Sequence, residues 1–251
     1  MPPEGFTGFV LLAIVYSIVV EHGMRWLLTK HIVTKMKGGW GRFFLIGFLF
    51  LVSRVFLPVV IVVYVEGSSL ASMGLHRPNS VWVFLAVPIA FLSLIVISLL
   101  EDTYRVRYLE KDPEELIRLH TPANYRIELI NQLILAGLPE EFLYRGYFVS
   151  RLLFGFGAIP SILLSSLYFG LVHNWSIVKG EKVGDKYKVL RTFLGGIVFA
   201  TMFVHFGLAP CIILHICLNL SYGWISKIAL PKLTMKIPDQ KKIAIHFRPE
   251  L

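Results

Sequence analysis

Two adjacent carboxylates, Glu140 and Glu141, an arginine at Arg145, two histidines, His173 and His215, and an amide, Asn219, stand in stretches of otherwise apolar residues. A charged group inside hydrocarbon costs on the order of 3 kcal/mol, so each is a candidate for function. In Pro139-Glu140-Glu141-Phe142-Leu143-Tyr144-Arg145, Glu141 and Arg145 are four apart, on one helical face and within reach of an ion pair. Glu140 is turned about 100° away, lacks a local partner, and is suited to project into a cavity and accept a proton. Pro139 fits the first turn of a helix, where its missing N–H is no loss, so Glu140 also lies near a positive dipole end. His215 and Asn219 are four apart, as are Phe169 and His173, so each pair faces one way. Histidine shuttles a proton or orients water near neutral pH, and an amide N–H suits a developing oxyanion. A carboxylate, two imidazoles and an amide are the parts needed to activate water against an amide carbonyl. Taken singly, a buried His or Asn more often glues helices, and Glu-x-x-x-Arg pairs are common. As a set drawn from three segments, they are not explained by packing.

The elements that carry these residues are membrane helices. The chain has 251 residues, 55% hydrophobic and 16% charged, with a mean hydropathy of +0.67, which argues for lipid as the solvent. About 20 apolar residues cross a hydrocarbon core of roughly 30 Å. Runs that approach or meet this length lie at 6–20, 43–65, 81–100, 127–156, 159–173, 193–206 and 209–225. The expected fold is therefore all-α, a polytopic transmembrane bundle of about seven to eight spans around an intramembrane catalytic cavity. The whole of 1–251 reads as a single membrane domain, with a motif-bearing core at about 124–225. The run at 127–156 is interrupted by Gly137 and Pro139 and is open to being two elements. The first run reads as a retained span rather than a signal peptide.

Lys and Arg exceed Asp and Glu to give a net charge of +9, and topology accounts for the excess. Arg25, Lys30, Lys35, Lys37 and Arg42 lie in the first joint, and Arg105, Arg107, Lys111, Arg118 and Arg126 in the third. Lys179, Lys182, Lys186, Lys188 and Arg191 lie in the fifth, and Lys227, Lys232, Lys236, Lys241, Lys242 and Arg248 in the tail. The second joint has Arg77 alone. With seven spans, the rule that cytoplasmic loops are basic puts the N-terminus outside and the C-terminus in the cytoplasm. The excess also favours anionic membrane lipids as partners, and no nucleic acid is implied. Asp112-Pro113-Glu114-Glu115 predicts a short capped helix. Arg54, alone in the second run, reads as fold support or a snorkelling group; His205 and Glu128 lie near span ends; Asn131 is a possible supporting donor for the site. Cys211 and Cys217 read as small core residues.

Taken in order, Glu140-Glu141-x-x-x-Arg145, Phe169-x-x-x-His173 and His215-x-x-x-Asn219 resemble the motifs of the type II CAAX prenyl endopeptidases (Ras-converting enzyme) and their prokaryotic Abi relatives. The Tyr144-Arg145-Gly146 extension and the element Met73-Gly74-Leu75-His76-Arg77 add to the likeness. The resemblance implies an intramembrane endopeptidase acting near the C-terminus of a prenylated protein or peptide. Carried over residue by residue, Glu140 and His173 activate water, His215 and Asn219 stabilise the oxyanion, and Glu141 and Arg145 hold the site. It implies a multi-pass protein of a prokaryotic cell membrane or a eukaryotic endoplasmic reticulum, and leaves the oligomeric state open. No cofactor is expected. Zinc held by Glu140, His173 and His215 is the alternative, less favoured because no ligand pair has His-Glu-x-x-His spacing. Competing readings are a non-catalytic membrane scaffold or bacteriocin-immunity protein of the same fold, and a proton-coupled transporter, against which the lack of inverted repeats counts.

Overall fold

A computed structural model of the chain describes residues 6–27, 39–76, 81–109, 111–174 and 186–234. These residues form helices and short joints, with no strand among them. Helix α1 is Phe6–Leu27. Helix α2 begins as Trp40–Leu51 and continues through Val52–Phe56, Leu57–Val60 and Ile61–Val65. A single tight turn, Leu70–Met73, precedes α3, Val83–Leu109. Two short helices follow, α4 (Pro113–His120) and α5 (Tyr125–Ile134). Helix α6 runs without a break through Gly137–Glu141, Phe142–Val149 and Ser150–Phe156. Helices α7 (Ala158–Asn174), α8 (Lys186–Phe206) and α9 (Leu208–Thr234) complete the described chain.

Five stretches are long and apolar enough to cross a bilayer: Thr7–Met24, Gly41–Val65, Val83–Leu109, Lys188–Phe206 and Leu208–Leu233. Only 22–39% of each window is buried within the protein, so most of these side chains, Phe48, Phe84 and Ile213 among them, are left to lipid. The protein is a multi-pass helical membrane bundle.

The two other apolar runs fold differently from a simple span. The run at 159–173 lies in α7, which at 17 residues extends about 25 Å. The run at 127–156 is two elements, because Ala136 leaves the helical region with φ −122° and ψ −91°. Pro139 dictates a break there: it donates no hydrogen bond, and its ring clashes with the carbonyl four residues earlier in any continuous helix. Within α6 the charges Glu140, Glu141, Arg145 and Arg151, rather than the length, set it apart from the apolar spans. Beyond 225, α9 continues to Thr234.

Local signals act as the sequence suggests. Asp112 Oδ1 accepts from the Glu114 N–H at 3.0 Å and caps α4. Asn124 Oδ1 does the same for α5, accepting from Arg126 and Ile127 at 2.9 and 3.2 Å. Lys30, Lys35, Lys37, Arg77, Lys179, Lys182, Lys236, Lys241, Lys242 and Arg248 lie outside the described residues.

Helix α6 is the centre of the bundle. Leu143, Tyr144, Tyr147 and Phe148 pack with α1 and α7 in one core cluster. Val149 joins a second, built on α3, α8 and α9. Arg151, 2% exposed, fastens α6 to the segment after α2 by donating from Nε to Glu66 at 2.7 Å. The α8–α9 joint turns at Gly207, φ +83°, where a Cβ would lie 2.7 Å from the Gly74 carbonyl oxygen. Only glycine combines that left-handed backbone with so close an approach. Leu208 N–H donates to the same oxygen at 2.9 Å. Cys211 is buried as expected, but Cys217 is exposed, since six residues along a helix leave two side chains about 120° apart.

Candidate active site

The helical start at Gly137 puts Glu140 and Glu141 in the first turns of α6, on different faces. Glu141 is wholly buried. Its Oε1 lies 3.3 Å from Arg145 Nη1, the expected i,i+4 pair. The same oxygen is 2.7 Å from His215 Nδ1 on α9, a contact between helices that residue spacing within either helix does not express. Arg145 is enclosed by aromatic faces, 4.3 Å from the centroid of Phe169 and 5.0 Å from that of Phe199. A guanidinium in such a slot is stabilised by the ring quadrupoles as well as by its carboxylate.

Glu140 retains 17% exposure of its side chain and lines a cavity. Its Oε2 is 3.5 Å from His173 Nε2, and its Oε1 is 3.6 Å from Arg54 Nη1 on α2. His173 Nδ1 lies 2.9 Å from the Phe169 carbonyl oxygen. A carbonyl only accepts, so Nδ1 carries the proton and Nε2 is the nitrogen facing Glu140. The Phe169-x-x-x-His173 spacing therefore gives a tautomer as well as a face.

Asn219 Nδ2 donates to Gln132 Oε1 at 2.8 Å, and Gln132 Nε2 donates to Glu128 Oε1 at 2.5 Å. Asn131 Nδ2 reaches the Glu128 carboxylate at 3.3 Å. Glu128 is thus the anchor of an amide chain that orients Asn219, more than a polar group near a span end. Asn131 meets that anchor and not Asn219 itself.

Glu140, His173, His215 and Asn219 line one cavity of about 320 Å³, with Phe169, Phe199, His120, Arg191 and Tyr222 among the other walls. All four expected residues are brought together, and Glu141 and Arg145 stand behind them. Glu140 is not without a partner, as its sequence context suggested, because Arg54 pairs with it from another helix. Arg54 does not snorkel: it is 5% exposed, bound also to Glu21 Oε1 at 2.8 Å and stacked on Phe50. Arg54, Glu21 and Gln132 are the participants that sequence reading did not single out as part of the site. The available signal for the first two was opposite charge, Glu21 at the end of the first apolar run and Arg54 within the second. The zinc alternative, Glu140 with His173 and His215, does not fit as placed: among the described residues no three His, Cys, Asp or Glu side chains are grouped for a metal. No step below is routed through one.

A carboxylate, two imidazoles and an amide thus face one volume within a helical membrane bundle. Residues 122–221 match the family described as type II CAAX prenyl endopeptidase Rce1-like. All four cavity residues lie inside the matched region, whereas Arg54 and Glu21 lie outside it. No curated protein and no solved structure matches the chain.

Proposed function

We propose that the protein is an intramembrane endopeptidase that hydrolyses a peptide bond near the C-terminus of prenylated CAAX-type proteins or peptides. We further read residues 1–251 as one membrane domain, embedded in a prokaryotic cell membrane or a eukaryotic endoplasmic reticulum with its C-terminus in the cytoplasm. The observation that carries the reading is the open juxtaposition of Glu140 Oε2 and His173 Nε2 at 3.5 Å, in a cavity shared with His215 and Asn219.

Two acceptors at that separation suit a water that donates one hydrogen to each, leaving its lone pair directed at a carbonyl. Glu140 takes one proton as the water oxygen bonds to the carbonyl carbon, and the carbonyl electrons move onto oxygen. Asn219 has a second amide hydrogen besides the one given to Gln132, and offers it to that oxyanion. His215 donates from Nε2 when both ring nitrogens carry protons, with Glu141 as its counter-ion at Nδ1. When the tetrahedral intermediate collapses, the C–N bond breaks and Glu140 returns its proton to the leaving amine. The products are a shortened chain with a new carboxyl group and a free peptide, and no cofactor enters the sequence.

The test is hydrolysis of a farnesylated CAAX peptide by the detergent-purified protein and by Glu140→Ala, His173→Ala and His215→Ala, with and without a strong chelator. Each variant is expected to lose turnover while still inserting, and the parent to be indifferent to chelator. Full activity in Glu140→Ala would falsify the mechanism, and chelator-sensitive activity restored by zinc would replace it with the metal reading.

A further inference from the structure

The cavity lining includes polar residues that the hydrolysis above does not use. Arg191 of α8 lines the cavity together with His120 and Tyr222. Arg191 Nε is 2.7 Å from Glu101 Oε2, and Arg105 Nη2 is 2.7 Å from the other oxygen of the same carboxylate. Glu101 is therefore shared by two guanidiniums, and Arg191 retains the donors of its two Nη groups. Asp102, 1% exposed, accepts from the Tyr222 hydroxyl at 2.5 Å and faces His120 Nε2 at 3.2 Å. This arrangement is built into the backbone: a Cβ at Gly223 would lie 2.2 Å from the His120 carbonyl oxygen. Only glycine lets the end of α4 seat on α9 so that the His120 ring meets Tyr222, 4.8 Å between centroids. Two carboxylates are thus set against two guanidiniums and an imidazole. Glu140, also in the lining, presents a carboxylate that disfavours a second one beside it.

We propose that Arg191 docks the free α-carboxylate of the substrate's C-terminal residue, so that the enzyme reads a chain end and not an internal stretch. The inference rests on the peptidase reading for the identity of its ligand. Three extended residues span roughly 10 Å, and a cavity of about 320 Å³ is within the usual size of a small-ligand site. The placement of Arg191 and of the Glu140 carboxylate in the cavity lining fixes the direction of the peptide: its terminus lies at Arg191 and an upstream carbonyl lies at Glu140. The bond cleaved is then set by distance from the carboxylate as well as by side-chain identity.

The experiment compares binding of a farnesylated CAAX peptide with a free C-terminus and of its C-terminal amide twin, by calorimetry on the full detergent-purified chain carrying Glu140→Gln. The acid is expected to bind roughly 10- to 100-fold more tightly than the amide, the range for one charge-assisted pair. Adding Arg191→Gln should bring the acid down to the amide and leave the amide unchanged. Arg191→Lys should fall between. If removing one partner of Glu101 prevents folding, Glu101→Gln with Arg191→Gln removes the pair together and is read in its place. Equal binding of acid and amide, binding of neither, or an acid preference that survives loss of Arg191, overturns the proposal. Hydrolysis of both peptides by the Glu140-intact protein is followed in parallel. Acid-selective binding without hydrolysis removes the peptidase reading and keeps the carboxylate site; equal hydrolysis of acid and amide does the reverse.

Discussion

Glu141 is fully buried, with an imidazole at 2.7 Å and a guanidinium at 3.3 Å, both on a single oxygen. Glu140, one residue earlier, keeps partial exposure and meets its two partners only at 3.5 and 3.6 Å. The same side chain on the same turn thus lives in a closed region and in an open one. A buried carboxylate with close cations is held, because exchanging those partners for others would leave charges unpaired in a low dielectric. A carboxylate with long contacts and a cavity beside it has space for a reactant and can change protonation without dismantling its surroundings. Adjacent acids in an apolar helix are therefore informative through the difference between them.

Substitution of each acid by its amide separates the two regions most sharply. Glu140→Gln is expected to lower turnover by a factor of 10³ or more while leaving the thermal midpoint of the detergent-purified protein within a few degrees. Glu141→Gln strands Arg145 and should cost about 3–5 kcal/mol, seen as a midpoint lower by roughly 10 °C. Equal stability losses in both variants would break the contrast. Next in size, Asn219→Ala removes an oxyanion donor and should reduce kcat by about 10² with little change in KM; a KM effect alone would move Asn219 to substrate binding. The smallest effect is expected for Arg54→Lys, which keeps the charge near Glu140 but changes its reach. About tenfold lower kcat is anticipated, and an unchanged rate would make Arg54 a packing group for Glu21.

Legibility in the sequence followed the kind of contact involved. Glu140, Glu141, His173, His215 and Asn219 stood out because a polar residue in an apolar run is costly, and the Glu141–Arg145 pair because both lie on one helix. Arg54 with Glu140, His215 with Glu141 and Gln132 with Asn219 were not legible, since each joins two helices. In a soluble helix a polar outer face reveals which side turns inward. Here Phe84 faces outward and Phe199 inward with the same apolar character, so periodicity marks neither face. The break before α6 was visible in Gly137 and Pro139. The extension of α9 to Thr234 was masked by its later polar residues.

The stretch Phe142–Val149 of α6 is a π-helix, which takes more residues per turn than an α-helix. It works as an insertion absorbed inside a helix. The acids lie before it and Arg151 after it, so the register between the site and the Glu66 anchor depends on that surplus. Removing one residue between Tyr147 and Val149, after the last motif residue of the stretch, would preserve every motif residue and its spacing. It would nevertheless turn the downstream half by about 100°, carrying Arg151 off Glu66 while Glu140 and Glu141 stayed in place. The spacing between these two landmarks is accordingly as much a part of the sequence's meaning as the landmarks themselves.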